Sequence, residues 1–276
     1  MSSRYIVRDI LKHIASTLNP HIPRAPREAQ LLLMHHLGVD ELWILTNQQE
    51  LVKDVDKLLE LVQRRAKNEP LEYITGKVSF YSQEFFISKG ALIPRPETEL
   101  LIDEVLKRID DKSSSMTVAE VGVGSGIISI MLAKFLPNAK IIAVDISEAA
   151  LEIAKKNIQK FKVEDRIELR LGSLLEPIDE PIDYLVSNPP YIADDAQLES
   201  NLSYEPQNAL FGGAVGDEMI KKLLDEALRR NINSFSCEMG YDQKDKILTY
   251  LKDKTFSKLE FYKDYSSFER GFTLRL

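Results

Sequence analysis

The sequence predicts an α/β protein built on a doubly wound, mostly parallel sheet and preceded by a small all-helical domain. Three observations predict it. From Met116 onward, apolar runs of strand length alternate with amphipathic helical stretches, the order that a parallel sheet with crossover helices requires. The first of these runs opens into Gly122-Val123-Gly124-Ser125-Gly126, and Asp145 closes the next, 23 residues beyond Gly122. That interval is close to the ~20 residues expected between a nucleotide-binding glycine loop and its ribose-binding carboxylate. Finally, the apolar run Tyr184-Leu185-Val186-Ser187 stops at Asn188-Pro189-Pro190-Tyr191. Proline cannot continue a sheet ladder, so Asn188 is predicted at the carboxyl tip of a buried strand, the edge where open α/β sheets bind ligands.

In chain order, Ile6, Val7, Ile10, Leu11, Ile14 and Leu18 recur at helical spacing over residues 5–18. A second helix is expected over Arg27 to Leu37, with Pro26 in its first turn and Gly38 just past its end. Asp40 can cap a short third helix around Leu42 to Leu45. A fourth, over Glu50 to Lys67, places Leu51, Val55, Leu58, Leu59 and Val62 on one face and stops before Pro70. Residues 1–72 thus read as a helical domain without visible chemistry, either simple packing or a docking surface. Residues 73–92 are expected to form a linking β-hairpin centred on the aromatic-rich run Val78 to Ile87. The third domain is then 93–276. Its opening Leu92-Ile93-Pro94-Arg95-Pro96-Glu97-Thr98-Glu99 is stiffened by alternating prolines, and a helix follows to about Ile109. That stiffness makes the loop either a linker or part of the site wall.

The sheet is then expected from Thr117–Val121, Lys140–Val144, Arg166–Leu171, the Tyr184 run, Ser234–Glu238, Leu259–Lys263 and Phe272–Leu276. Helices are expected over Ile127–Phe135, Glu148–Lys160, 217–230 and 242–253. The connection between the last two strands is too short for a crossover helix, so they should be antiparallel neighbours. The long polar segment from Tyr191 to about Val215 reads as a functional or mobile loop without regular structure.

Net charge is −7, all of it carried by residues 76–276. Nucleic-acid binding needs basic groups to displace counterions, so an acidic body argues against it and suits a basic protein partner. No apolar run approaches the ~18 residues of a membrane span, and the first twenty residues lack a signal-peptide core. A cytoplasmic protein is expected. The single cysteine, Cys237, excludes a disulfide framework and reads as inert core. The histidines are His13, His21, His35 and His36. Adjacent His35 and His36 point about 100° apart on a helix and do not make a chelating pair, so no metal site is expected.

The chemistry of the motifs is direct. Glycines allow close backbone approach by a ligand, and Asp145 can accept hydrogen bonds from ribose hydroxyls. Position 127 is Ile, so the loop lacks the last glycine of the dinucleotide fingerprint and disfavours pyrophosphate. The Asn188 side-chain oxygen and the Pro189 carbonyl are acceptors suited to the N–H of a planar group, with Tyr191 able to cover its face. Read alone, Asn-Pro-Pro is also a strong turn signal.

Four stretches together, Glu69-Pro70-Leu71-Glu72-Tyr73-Ile74-Thr75-Gly76, Ile93 to Glu99, Glu120 to Gly126 and Val186 to Tyr191, resemble the HemK/PrmC family of peptide-chain release factor glutamine-N5 methyltransferases. The resemblance spans nearly the whole chain, and Pro-Arg-Pro-Glu-Thr-Glu is its most distinctive part. It implies a class I S-adenosylmethionine (SAM)-dependent methyltransferase, Rossmann-like, with seven strands, the last antiparallel. It further implies S-adenosyl-L-methionine as cofactor and, as partners, class I peptide-chain release factors, methylated on the side-chain amide of the Gly-Gly-Gln glutamine in support of translation termination. By the same resemblance, Glu120, Gly122, Val123, Gly124, Ser125, Gly126, Asp145, Ser173, Leu174 and Asn188 hold the cofactor. Asn188, Pro189, Pro190 and Tyr191 hold the glutamine, and the helical domain helps dock a release factor to a monomeric enzyme. Ser173 stands where many relatives carry an acidic residue on the adenine amino group, and Leu174 and Leu175 where an aromatic is frequent. Two other readings compete. An adenine-N6 DNA or RNA methyltransferase uses similar strand tips but normally a basic surface. A noncatalytic SAM-binding scaffold would not need both an intact glycine loop and an intact Asn188 tip.

Overall fold

The computed structural model describes residues 5–20 and 22–276. Residues 1–4 of the expected first segment, and His21, lie outside the described residues. Two compact units result, one of Met1–Lys77 with Glu199–Tyr204, the other of Val78–Leu198 with Glu205–Leu276.

The first unit holds α1 (Val7–Leu18), α2 (Ala25–Leu37), α3 (Glu41–Thr46), α4 (Val55–Ala66) and α5 (Leu71–Thr75). Of the expected stripe, Val7, Ile10, Ile14 and Leu18 are fully buried against Leu32, Leu33, Leu58 and Val62, while Ile6 and Leu11 are half-buried at its margin. Asp40 caps α3, its Oδ1 accepting from the Trp43 N–H at 2.8 Å. The fourth helix starts at Val55, five residues later than its periodicity suggests. Residues 50–52 instead run extended beside the start of α1, with Val7 N–H on the Glu50 carbonyl and Val52 N–H on the Tyr5 carbonyl, both 2.9 Å. Leu51 consequently faces solvent and is not part of the buried stripe. Leu71–Thr75 is helical, so the hairpin begins only at Lys77. Within this unit Asn68 Nδ2 donates to Ser200 Oγ (3.0 Å) and the Tyr204 hydroxyl to the Lys67 carbonyl (2.8 Å).

The rest of the chain opens with the hairpin β1 (Lys77–Phe80) and β2 (Gln83–Phe86), then α6 (Glu97–Lys107), β3 (Met116–Val121), α7 (Ile127–Phe135), β4 (Ala139–Asp145), α8 (Glu148–Phe161), β5 (Ile167–Leu171) and β6 (Tyr184–Ser187). It continues with β7 (Ile192–Ala193), β8 (Phe211–Gly213), α9 (Glu218–Arg229), β9 (Ser234–Glu238), α10 (Lys244–Leu251), β10 (Lys258–Lys263) and β11 (Glu269–Arg275). Seven strands form the sheet in the order β10-β11-β9-β6-β3-β4-β5, parallel except for β11. Period-two alternation sorts the strand side chains. Val118, Ile141 and Val186 pack on one face with Leu101 of α6, Ile130 of α7 and Ala154 of α8. Ala119, Ile142 and Leu185 pack on the other with Leu223 of α9 and Ile247 of α10. Each fully buried aliphatic side chain contributes about 1.5–3 kcal/mol, which explains why strands covered on both faces read as continuous apolar runs.

The chain builds outward from β3 to β4 and β5, then returns to β3's other side with β6 and β9. This reversal leaves a crevice at the carboxyl ends of β3 and β6. Four neighbouring strands present there Asp145, the glycine loop, Asn188 and Glu238. The segment after Tyr191 is less irregular than its composition suggests. β7 and β8 pair in parallel, and short 3-10 turns form at Leu202–Tyr204 and Gln207–Ala209. Gly212 lies so close to the Asn-Pro-Pro-Tyr backbone that a Cβ on it would sit 2.4 Å from the Pro190 carbonyl oxygen.

Candidate active site

A cleft of about 990 Å³, counting its open mouth, occupies the crevice. Most of the residues singled out in the sequence line it: Glu120, Gly122, Val123, Gly124, Ser125, Asp145, Ser173, Leu174, Asn188, Pro189 and Pro190. Gly126 and Tyr191 lie behind the wall. Gly126 precedes α7, and Tyr191 packs its ring on the core under α9 and α10.

The glycine loop is braced from two sides. Gly122, Gly124 and Gly126 all have positive φ, a conformation costly for residues with a Cβ. Asp145 Oδ2 accepts from the Gly124 N–H at 2.9 Å, and its Oδ1 accepts from the Ser147 N–H at 2.9 Å. Burial raises its pKa above the ordinary carboxylate value, and these backbone donors oppose the shift. From α8, the wholly buried Asn157 donates to the Ser125 carbonyl (2.8 Å) and spans Phe86 of β2, accepting from its N–H (2.7 Å) and donating to its carbonyl (2.9 Å).

Glu120, at the end of β3, is 1 % exposed. Its Oε2 accepts from the backbone N–H (2.9 Å) and hydroxyl of Ser129, while its Oε1 is buried and has no partner. Desolvation lifts its pKa to about 8. A buried, unsatisfied carboxylate oxygen lining a cleft calls for a cationic ligand. The ammonium and sulfonium groups of SAM supply positive charge, and the two carboxyls, the open glycine backbone and the apolar Ile127, Ile146 and Leu174 fit the rest of such a molecule. Leu174 adopts φ 51°, a left-handed conformation rare outside glycine, which places the Ser173-Leu174 corner in the cleft wall.

At the β6 tip, Asn188 is held by a hydrogen-bonded chain that reaches outside the motif. Its Nδ2 donates to Thr98 Oγ1 (3.0 Å), Thr98 donates to Glu238 Oε2 (2.8 Å), and the Tyr191 hydroxyl donates to Glu238 Oε1 (3.2 Å). Gln243 Nε2 secures the Tyr191 carbonyl at 2.9 Å. Glu238 is 1 % exposed, and burial lifts its pKa to about 7. Thr98 is the second residue of α6 and follows directly on the proline-stiffened loop, whose Pro94 and Arg95 also line the cleft. That loop is anchored by Glu205, which accepts from the Ile93 N–H (2.9 Å) and pairs with Arg95. Glu205, Asn157 and Glu238 are not identified from the sequence as site residues, and Thr98 only as part of a stretch expected to be either a linker or part of the site wall. For Glu238 the available signal was its position at the tip of a strand next to β6.

Elsewhere, Cys237 is fully buried and burial raises its thiol pKa. Among the described residues there is no cluster of three or more His, Cys, Asp or Glu side chains able to hold a metal. One ring nitrogen of His36 hydrogen-bonds the Lys53 carbonyl at 2.9 Å.

The sheet order, the glycine loop and the acidic strand tip define a SAM-dependent methyltransferase of Rossmann-like fold. The catalytic domain of hMettl16 in complex with an RNA hairpin has the same fold, with a TM-score of 0.57 at 13% identity over 79% of this chain and 91% of that one. Residues 9–76 match the family described as PrmC N-terminal domain, and residues 96–210 the one described as Methyltransferase small domain. A release factor glutamine methyltransferase from Dictyoglomus turgidum is 40% identical over 88% of both chains, and one from Koribacter versatilis 38% over 90% of both. A bifunctional methyltransferase from Rickettsia typhi is 33% identical over 97% of this chain and 57% of its own. The chain belongs to the release factor glutamine methyltransferase family.

Proposed function

We propose that this protein transfers a methyl group from S-adenosylmethionine to the side-chain amide nitrogen of the Gly-Gly-Gln glutamine in class I peptide-chain release factors. The observation that carries the reading is the Asn188 amide, whose NH2 end is committed to Thr98, leaving its oxygen as the free acceptor in a cleft that also holds Glu120 and Asp145. Bound SAM supplies an electrophilic methyl on a sulfonium.

A primary carboxamide is a poor nucleophile because its nitrogen lone pair is delocalised, so the protein's task is positioning. Asn188 Oδ1 and the Pro189 carbonyl accept from the substrate NH2 and fix its plane. Glu120, Asp145 and the glycine loop hold the cofactor, with Val123, Ser125, Ser173 and Leu174 completing its walls. From its place behind the wall, Tyr191 fixes the floor of the site through Glu238. The helical unit docks the release factor, and Leu42 and Leu45 of α3, 67% and 61% exposed, are apolar contacts available for that role. A monomeric, cytoplasmic enzyme acting on protein and not on nucleic acid completes the proposal. The net charge of −7 supports the choice of protein over nucleic acid, and among the described residues no helix is long and apolar enough to cross a membrane.

Labelled methyl transfer from SAM tests the substrate class. Label in a release factor and none in DNA or RNA is expected; label in nucleic acid alone would favour the adenine-N6 reading.

A further inference from the structure

We infer that Thr98 and Glu238 are positioning residues that decide which end of the Asn188 amide faces the cleft. This rests on the proposed role of Asn188. The two ends of a carboxamide are nearly equal in size, so packing alone cannot choose between them, whereas hydrogen-bond polarity can.

That polarity runs one way through the chain. Above about pH 7, where Glu238 is ionised, it only accepts, taking one hydrogen bond from the Thr98 hydroxyl at 2.8 Å and another from the Tyr191 hydroxyl at 3.2 Å. Thr98 has a single hydroxyl proton, spent on Glu238, so it presents a lone pair to Asn188. Only the NH2 end of Asn188 can fill it, as the 3.0 Å contact from Nδ2 records. The amide oxygen is thereby turned toward the substrate's NH2 group. Without this relay Asn188 could rotate and offer a donor to a donor. Thr98 and Glu238 are each 1 % exposed, so water does not readily substitute for either. The proline-stiffened loop leads directly into α6, whose second residue, Thr98, is set against two strand tips, those of β6 and β9.

The test is a double-mutant cycle in the full-length enzyme, read by single-turnover methyl transfer to a Gly-Gly-Gln peptide at saturating SAM. Thr98→Val, nearly isosteric, is expected to slow transfer by about ten- to a hundredfold, the worth of one misdirected buried hydrogen bond, while SAM affinity stays unchanged. Thr98→Ser, which keeps the hydroxyl, should restore the rate. In an Asn188→Ala background Thr98→Val should cause no further loss, because the amide it orients is gone. A purely structural role would give the same loss in both backgrounds. If Thr98→Val is recovered unfolded, Glu238→Leu, which removes both acceptor oxygens, carries the same cycle and the same expectation. A wild-type rate in the Thr98 or Glu238 variant, or equal losses in both backgrounds, overturns the inference. A wild-type rate for Asn188→Ala alone would instead overturn the reading on which it rests.

Discussion

Glu120 shows how a single buried carboxyl can link cofactor binding to pH. Its pKa is raised from 4.5 to about 8 because burial penalises the charge. In the cofactor-free protein, the stability it contributes is therefore complete below its ordinary pKa and is lost as pH rises through about 8. Glu120→Gln should accordingly flatten the fall in melting temperature between about pH 6 and 9, which thermal melts across that range would measure. In the proposed site this carboxyl ionises only against the bound cation, and the same substitution removes the charge it would then offer. SAM affinity by calorimetry should drop about tenfold or more, the usual worth of a hydrogen bond to a charged group. Unchanged affinity would remove Glu120 from the site. Asp145 was legible in the sequence as a strand-tip carboxylate, but its bonds to Gly124 and Ser147 were not, because they depend on how the loop folds back. Asp145→Ala should therefore both weaken SAM and loosen the glycine loop, with faster amide exchange at Gly124 as the second readout.

At the level of elements, the segment after Tyr191 departs furthest from the sequence reading. Its acidic, strand-poor composition hides that β8 and the following turn are buttresses for the site. A Cβ at Gly212 would meet the Pro190 carbonyl at 2.4 Å and the Gly216 carbonyl at 2.5 Å, both backbone atoms with nowhere to yield. Gly212→Ala should therefore displace the strand tip, costing about 1–3 kcal/mol of stability as overpacking does. It should lower kcat for the peptide more than it weakens SAM binding. A normal kcat would show that the tip tolerates movement. The helices and strands with strong periodicity, such as α7 and β9, have the expected limits. The start of α4 does not, because residues 50–52 gain backbone partners from the start of α1 that no local pattern announces. The Glu238–Thr98–Asn188 relay joins residues 90 and 50 positions from Asn188 along the chain, so only the sheet order and the packing of α6 against β9 bring them together.

For the whole molecule, the distribution of roles between the two units makes a separable claim. Exchanging Leu42 and Leu45 for serine should raise KM for an intact release factor while leaving kcat/KM for a short Gly-Gly-Gln peptide unchanged, since these side chains are exposed and packed in no core. Equal losses on both substrates would mean that the helical unit serves folding alone. The overall class was legible because strand alternation, a glycine loop and two strand-tip motifs survive in one dimension. The partner was legible only through resemblance, since neither charge nor spacing specifies a release factor. The most direct measurement is mass spectrometry of a whole release factor after incubation with SAM and either the wild-type enzyme or Asn188→Ala. One added methyl on the glutamine of Gly-Gly-Gln is expected with the wild type. With Asn188→Ala the rate should fall roughly a hundred- to thousandfold, as when one preorganised hydrogen bond to a reacting group is removed. A methyl on another residue, or equal rates for the two enzymes, would contradict the role assigned to the Asn188 tip.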